Sequence, residues 1–105
     1  MKKQIKDLEL CEIDYLVAKA DGLDAKIEII PFNDDDYKYV TVKGELYSPT
    51  TNPSQAWPII ERERISIESI DDNVWCSNYS IYGKTSLEAA MRAFVASKFG
   101  DEIEL

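Results

Sequence analysis

The chain has no histidine among its 105 residues, and it has only two cysteines, Cys11 and Cys76. These two residue types most often transfer protons or bind transition metals near neutral pH. Without histidine, a Ser-His-Asp triad, a Cys-His pair and a His-Glu-x-x-His zinc helix are all excluded. We therefore expect no enzymatic activity, no catalytic residues, no cofactor and no bound metal.

Long apolar runs are also missing. No segment approaches the ~20 apolar residues that span a bilayer, and the basic N-terminal segment is followed by acidic residues rather than by the apolar part of a secretion signal. We therefore expect a soluble, intracellular protein with no membrane partner. Cys11 and Cys76 lack Cys-x-x-Cys spacing, so we expect two reduced, packed thiols rather than a disulfide or a metal site.

Basic residues are outnumbered by acidic ones, with 12 against 20 and a formal net charge of −8. Because nucleic-acid affinity comes largely from lysine and arginine neutralising phosphates, we expect no direct binding of nucleic acid. The same charge attracts basic surfaces, including the nucleic-acid-binding grooves of other proteins. The alternative is that the charge only keeps the protein soluble.

The chain does contain regular hydrophobic periodicity. Helical spacing predicts one helix over residues 9–20 and another between Thr85 and Gly100, where Thr85 and Glu88 form a capping-box sequence. Alternation of apolar and polar residues predicts the strands, and the acidic residues 101–105 are predicted to be a short tail. The predicted strands are residues 25–30, 37–46, 65–70 and 74–81.

Residues 47–57 have no periodicity and are predicted to be a polar loop, which is long for a compact domain and therefore a candidate functional segment. Pro58 suits the first position of a short helix, although a continuous strand into residues 65–70 is the alternative. The order of elements predicts a single α+β domain over residues 1–105. Two longer helices cover one face of a mainly antiparallel sheet of about four strands, with one short helix, and the other face is partly open.

Several motifs resemble the NinX-like family of small bacteriophage proteins, in the same order over most of the chain. The matching segments are Val-Ala-Lys at 17–19, Tyr-Ser-Pro-Thr-Thr at 47–51, Pro-Ile-Ile-Glu-Arg-Glu at 58–63, Ala-Ala-Met-Arg at 89–92 and Val-Ala-Ser-Lys-Phe-Gly-Asp-Glu at 95–102. The chain departs from the family pattern at Ala56 and Trp57, where glycines are usual, and at Lys84 and Ser86, where prolines are usual. The resemblance implies a phage or prophage accessory protein in the cytoplasm of a bacterial host, and it transfers no activity and no catalytic residue.

The first candidate interaction surface joins the ends of the 47–57 loop to the charged run that follows it. Its residues are Tyr47, Trp57, Glu61, Arg62 and Arg64. Aromatic and arginine side chains are typical anchors of protein interfaces. The alternative is that Trp57 packs onto the core and that the charged residues form a solvated helix face.

The second candidate surface lies on the predicted strand 37–46 and the turn before it. Tyr37 and Tyr39 share one strand face and form an exposed aromatic stripe if no helix covers them, although tyrosine is also ordinary on a half-buried strand. Asp34, Asp35 and Asp36 form an acidic turn, which is either a charged contact for a partner or simply solvated. They lack the spacing of a calcium loop.

The leading hypothesis is a non-enzymatic phage protein that binds a host protein and, in its most specific form, inhibits a host-defence or nucleic-acid-handling factor through its acidic surface. The alternative is a module that binds or sequesters a nucleotide-like molecule. Its contacts would come from the rings of Trp57 and Tyr47 and from Arg62 or Arg64. A carboxylate- or metal-dependent enzyme is the third hypothesis and would need two acids converging in one pocket. Neither the partner nor the oligomeric state follows from the sequence.

Overall fold

The computed structural model describes residues 2–32, 35–77 and 81–104. Within these ranges the chain forms three α-helices and eight short strands. The elements are β1 (Lys2–Gln4), a 3₁₀ turn (Ile5–Asp7), α1 (Leu10–Ala20), β2 (Ala25–Phe32), β3 (Asp35–Val42), β4 (Glu45–Leu46), α2 (Pro53–Glu63), β5 (Ile67–Asp71), β6 (Val74–Ser77), β7 (Ile81–Gly83), α3 (Ser86–Phe99) and β8 (Glu102–Glu104).

The described strands form three small antiparallel sheets, in the orders β1-β8, β2-β3-β4 and β5-β6-β7. The predicted α+β class and the antiparallel pairing are confirmed. The strands are not joined into one sheet of about four strands, because the two three-stranded sheets pack on different helices. The first hairpin contacts α1, whereas β5, β6 and β7 contact α3.

The hydrophobic core lies between the three helices, and α1 and α3 pack directly against each other. The helical spacing that predicts α1 and α3 also predicts the faces that are buried. Ile13 and Val17 of α1 and Phe94 of α3 are almost fully buried, and Ile59 of α2 joins them. The core thus draws on every helix.

The prediction that residues 101–105 form a short acidic tail is wrong, because residues 102–104 form a strand. Lys3 pairs with Ile103 in register, and Ile103 is only 3% exposed. An apolar residue between two glutamates is too short an alternation to predict a strand by itself. The partner strand lies at the other end of the chain, so only the tertiary structure brings the two together.

The start of the middle helix also differs from the prediction. Helix α2 begins at Pro53, where the side chain of Asn52 accepts a hydrogen bond from the backbone N–H of Ser54 at 3.0 Å. Pro58 therefore lies inside the helix rather than at its first position, and the loop shortens to residues 47–52. Asn52 followed by Pro53 combines a good N-cap with a proline at the first helical position, so it is the stronger start signal.

The capping prediction for α3 is half confirmed. The hydroxyl of Thr85 accepts a hydrogen bond from the backbone N–H of Glu88 at 3.1 Å, but the Glu88 carboxylate accepts from the N–H of Lys84 instead of Thr85. A reciprocal capping box occurs at the start of α1, between Glu9 and Glu12. The prediction of one strand over residues 74–81 is wrong, because β6 and β7 fold back on each other as an antiparallel pair with Ser77 opposite Ile81. Residues 78–80 between them lie outside the described ranges.

Candidate functional site

Strands β2 and β3 form a long two-stranded ribbon whose far half stands away from the core. Val40, at the near end of β3, is 1% exposed, whereas Ile29 is 55% exposed, Ile30 is 48% exposed and Tyr37 is 62% exposed. Consecutive residues on a strand point to opposite faces. Since Ile29 and Ile30 are both exposed, both faces of the far half of the ribbon are open to solvent.

The two tyrosines of this ribbon lie on one face, as the alternation predicts. Their ring centroids are 5.9 Å apart with an interplanar angle of 31°. Tyr37 pairs with Ile30, and Tyr39, which is half-buried, pairs with Glu28. The exposed face therefore carries an aromatic ring beside an aliphatic side chain, which is typical of a protein contact surface.

The residue before Tyr37 is acidic and points to the opposite face of the ribbon. Asp36 is exposed and pairs with Pro31. Asp35 begins β3, and its side chain and all of Asp34 lie outside the described part of the chain. The ribbon thus brings apolar, aromatic and acidic residues to one end of the molecule.

The first predicted surface is divided by the fold. Trp57 remains exposed, at 53%, and does not pack onto the core. Its indole Nε1 donates a hydrogen bond to the Glu61 carboxylate at 2.9 Å, one turn further along α2. Arg64 is also exposed, and it ends α2 in the left-handed conformation with φ of 54°.

Arg62 is held by contacts within the protein. Its guanidinium donates to the Asp21 carboxylate at 2.7 Å and to the Glu63 carboxylate at 2.8 Å. It also lies 5.6 Å from the centroid of the Phe94 ring. Arg62 therefore ties α2 to the end of α1 and to α3, and these bonds compete with any phosphate ligand.

Tyr47 is half-buried against the core rather than presented as an anchor. Burial raises the pKa of its hydroxyl to about 12, and the nearby carboxylates of Asp21 and Asp14 add to the increase. Its backbone N–H donates to the carbonyl of Val40 at 2.8 Å, which joins the loop to the ribbon. The five predicted residues therefore do not form one continuous stacking site.

A buried aspartate fixes the loop that precedes α2. The Asp14 carboxylate accepts hydrogen bonds from the backbone N–H of Thr50 at 2.9 Å and from its hydroxyl at 3.1 Å. Burial raises the pKa of Asp14 to about 6, although both hydrogen bonds act in the opposite direction. The segment that looks like a functional loop in the sequence is therefore a tethered structural connection.

One groove has no counterpart in the sequence predictions. It has a volume of about 850 Å³ and lies between the segment before α1, the β6–β7 hairpin and the start of α3. Leu10, Val74 and Tyr82 line it and are each partly exposed. Arg92 and Glu88 form a largely buried ion pair in its wall, with a separation of 2.9 Å. The sequence does indicate this ion pair, because the two residues are four positions apart on a predicted helix.

Arg92 holds the groove together. One of its terminal nitrogens donates to the carbonyl of Leu8 at 2.9 Å, and the other donates to the carbonyl of Tyr82 at 3.2 Å. Its buried Nε has no hydrogen-bond partner among the described residues. Since both terminal nitrogens are already used, the guanidinium has a structural role in joining the chain before α1 to β7.

The two cysteines are free and half-buried. Burial raises the pKa of the Cys11 thiol, and the neighbouring Glu9 carboxylate adds to the increase. A raised pKa keeps the thiol protonated and less nucleophilic. Within residues 2–32, 35–77 and 81–104, no three acidic or cysteine side chains are grouped as metal ligands would be. The helices described are also all too short or too polar to cross a bilayer.

The fold and these surfaces define a small α+β protein with an exposed β-ribbon. A family model described as bacteriophage P22 NinX matches residues 4–98. The chain therefore belongs to the NinX family of bacteriophage proteins, which confirms the predicted resemblance and makes it a phage accessory protein. A search of curated proteins found no match.

Proposed function

We propose that this NinX-family protein is a non-enzymatic accessory factor that binds a host protein in the cytoplasm of the infected cell. The contact is made by the far half of the β2–β3 ribbon. The observation that carries the proposal is that Ile29, Ile30 and Tyr37 are all about half exposed or more, on both faces of the ribbon. A two-stranded ribbon is only marginally stable without cover, so a partner that covers these side chains stabilises it.

The charge of the chain indicates the kind of partner. The net charge is −8, and the sequence has three consecutive aspartates, Asp34, Asp35 and Asp36. The last two begin β3 at the far end of the ribbon, where Asp36 is exposed. Such a surface is attracted to a basic surface by long-range electrostatics, and the attraction weakens as salt screens it. A host-defence or nucleic-acid-handling protein with a basic groove has the complementary charge, and occupying that groove would inhibit it.

The first experiment is affinity purification of the tagged protein from host cells during phage growth. In a variant with Ile29→Thr and Ile30→Thr, the ribbon keeps β-branched residues and its strand propensity but loses apolar surface. We expect recovery of the partner to fall about tenfold or more, as for an interface anchor. The matched control is Ile70→Thr, because Ile70 is also 55% exposed but lies on β5 in another sheet.

The Ile70→Thr control should recover as much of the partner as the wild-type protein does. Equal recovery with wild type and the ribbon variant would contradict the proposal, and so would an equal loss in Ile70→Thr. The acidic part of the proposal is tested separately by replacing Asp34, Asp35 and Asp36 with asparagine. We expect this variant to bind more weakly at low salt and to lose most of its salt dependence.

A further inference from the structure

Strand β2 lies at the edge of its sheet. It pairs with β3 along its whole length, from Ala25 to Phe32, and its other edge is not paired with any strand of the described chain. The alternative edges are less suitable. Strand β5 is interrupted by a register shift between Ser69 and Asp71, and β7 has only three residues. An uninterrupted free edge is a template for pairing with another strand.

Pro31 indicates which backbone groups face this free edge. Proline has no N–H and is tolerated in a strand where its nitrogen faces away from the neighbouring strand. Backbone groups on a strand alternate in direction, so Ala25, Ile27 and Ile29 share the outward direction of Pro31. They offer three successive sets of N–H and C=O groups to an incoming strand.

We propose that the partner of this edge is β2 of a second copy of the chain, paired antiparallel with Ile27 on the two-fold axis. In this register, Lys26 lies directly opposite the second copy's Glu28, and the same pair recurs on the other side of the axis. Ala25 lies opposite Ile29 of the second copy. Opposite charges in directly opposed positions stabilise a strand pair.

The neighbouring registers do not have this complementarity. A pairing centred on Glu28 places two glutamates opposite each other, and one centred on Lys26 does the same with two lysines. Like charges in opposed positions are destabilising. The pattern Lys-Ile-Glu at residues 26–28 is therefore self-complementary when it is centred on Ile27.

The surroundings of the edge support the same occupant. A groove of about 690 Å³ runs between α1 and β2, and Tyr15, Leu16 and Ile27 are among the residues that line it. Ile27 is 39% exposed in the single chain. A second copy brings its own β2 and α1 to this groove, which buries apolar surface and joins the two three-stranded sheets into one of six strands.

The test begins with the oligomeric state of the full chain, measured by analytical ultracentrifugation over a range of concentrations. We expect a dimer. Lys26→Glu places like charges opposite each other on both sides of the axis and should raise the dimer dissociation constant about tenfold. Adding Glu28→Lys to that variant restores opposite charges and should restore the dimer. Lys84→Glu makes the same change in net charge at an exposed site in another part of the fold and should leave the dimer unchanged.

Cross-linking tests the register in a background with Cys11→Ser and Cys76→Ser. Ile27→Cys places two cysteines across the axis with Cα atoms about 5.5 Å apart, which is within disulfide range. Ile29→Cys places them about 13 Å apart along the strands, too far to bond. We expect a covalent dimer only for Ile27→Cys. A monomer at every concentration, a dimer that Lys26→Glu does not weaken, or equal cross-linking at both positions would overturn the proposal.

Discussion

At the scale of single residues, Asp14 has a role in the structure that its position in the sequence does not indicate. In the sequence it is one of several acids on the polar side of a predicted helix. In the structure it is 6% exposed and holds Thr50, which is 36 residues away along the chain. Periodicity shows which side of a helix faces the core, but it does not show which loop covers the rest.

The pH dependence of stability tests this role. The folded-state pKa of Asp14, about 6, lies above the ordinary value of 3.8, so the unfolded chain releases this proton first as the pH rises. Stability from this group is therefore greatest below about pH 4, falls as the pH rises to about 6, and is constant above that. The total change is at most about 3 kcal/mol.

We expect Asp14→Asn to remove this dependence. Its amide can accept from the backbone of Thr50 and donate to the hydroxyl, so the variant should melt at the same or a higher temperature than wild type at pH 7. Glu63 titrates in the opposite direction, because Arg62 lowers its pKa, but it is present in both proteins and cancels in the difference. Thermal melts from pH 3 to pH 8 measure the effect, and an unchanged slope in the variant would contradict it.

Two predicted site residues also have contacts that the sequence does not indicate. Tyr47 and Arg62 have the residue types of an interface, and nothing in their spacing indicates that one packs on the core and the other bonds to Asp21. Trp57 and Tyr37 are exposed and Tyr39 is half-buried, and their function stays a prediction. Residue type predicts what a side chain can do, whereas its neighbours decide whether it is available.

At the scale of elements, strongly periodic segments were predictable, whereas very short strands and the start of the middle helix were not. Helix α3 and the hairpin of β2 and β3 follow directly from spacing of 3.6 and 2 residues. The start of α2 was missed because two prolines, Pro53 and Pro58, both suit a first helical position, and the side chain of Asn52 decides between them. The strands β1 and β8 have only three residues each and form by pairing with each other, so neither can be predicted from its own segment.

Pro58 gives a prediction for helix α2. It is exposed and lies within the helix, where it lacks the N–H that would bond to the carbonyl four residues earlier. We expect Pro58→Ala to stabilise the protein by about 1–3 kcal/mol, which raises the melting temperature by several degrees. Pro53→Ala, at the first helical position, is the matched control and should change little. A lower melting temperature for Pro58→Ala would show instead that the core requires the proline in this helix.

Gly83 gives a prediction for the contact between β7 and α3. A Cβ atom at this position would lie 2.5 Å from the backbone nitrogen of Ala89. Backbone cannot move aside as a flexible side chain can, so Gly83→Ala must push the strand away from the helix. We expect a loss of about 1–3 kcal/mol in chemical denaturation. Gly44→Ala is a useful comparison, because no atom lies within 4 Å there and its cost comes only from the positive φ of 80°. A loss no larger than that of Gly44→Ala would contradict the close packing.

At the scale of the whole molecule, the chain combines a helical core with surfaces that the core does not cover. The β2–β3 hairpin packs on α1, whereas the other two sheets contact α3, and the far half of the β2–β3 ribbon remains exposed. The sequence correctly predicted the class of fold and the phage family. It did not predict the division into three sheets, since that depends on which helix each hairpin meets. The acidic charge and the open apolar ribbon are the features on which the proposed binding role rests.

The most direct test of this account is native mass spectrometry of the tagged protein purified from host cells during phage growth. We predict one host protein in stoichiometric amount, released as salt is raised. Purified protein that carries only a small additional mass would contradict the account and favour a module that binds a small molecule.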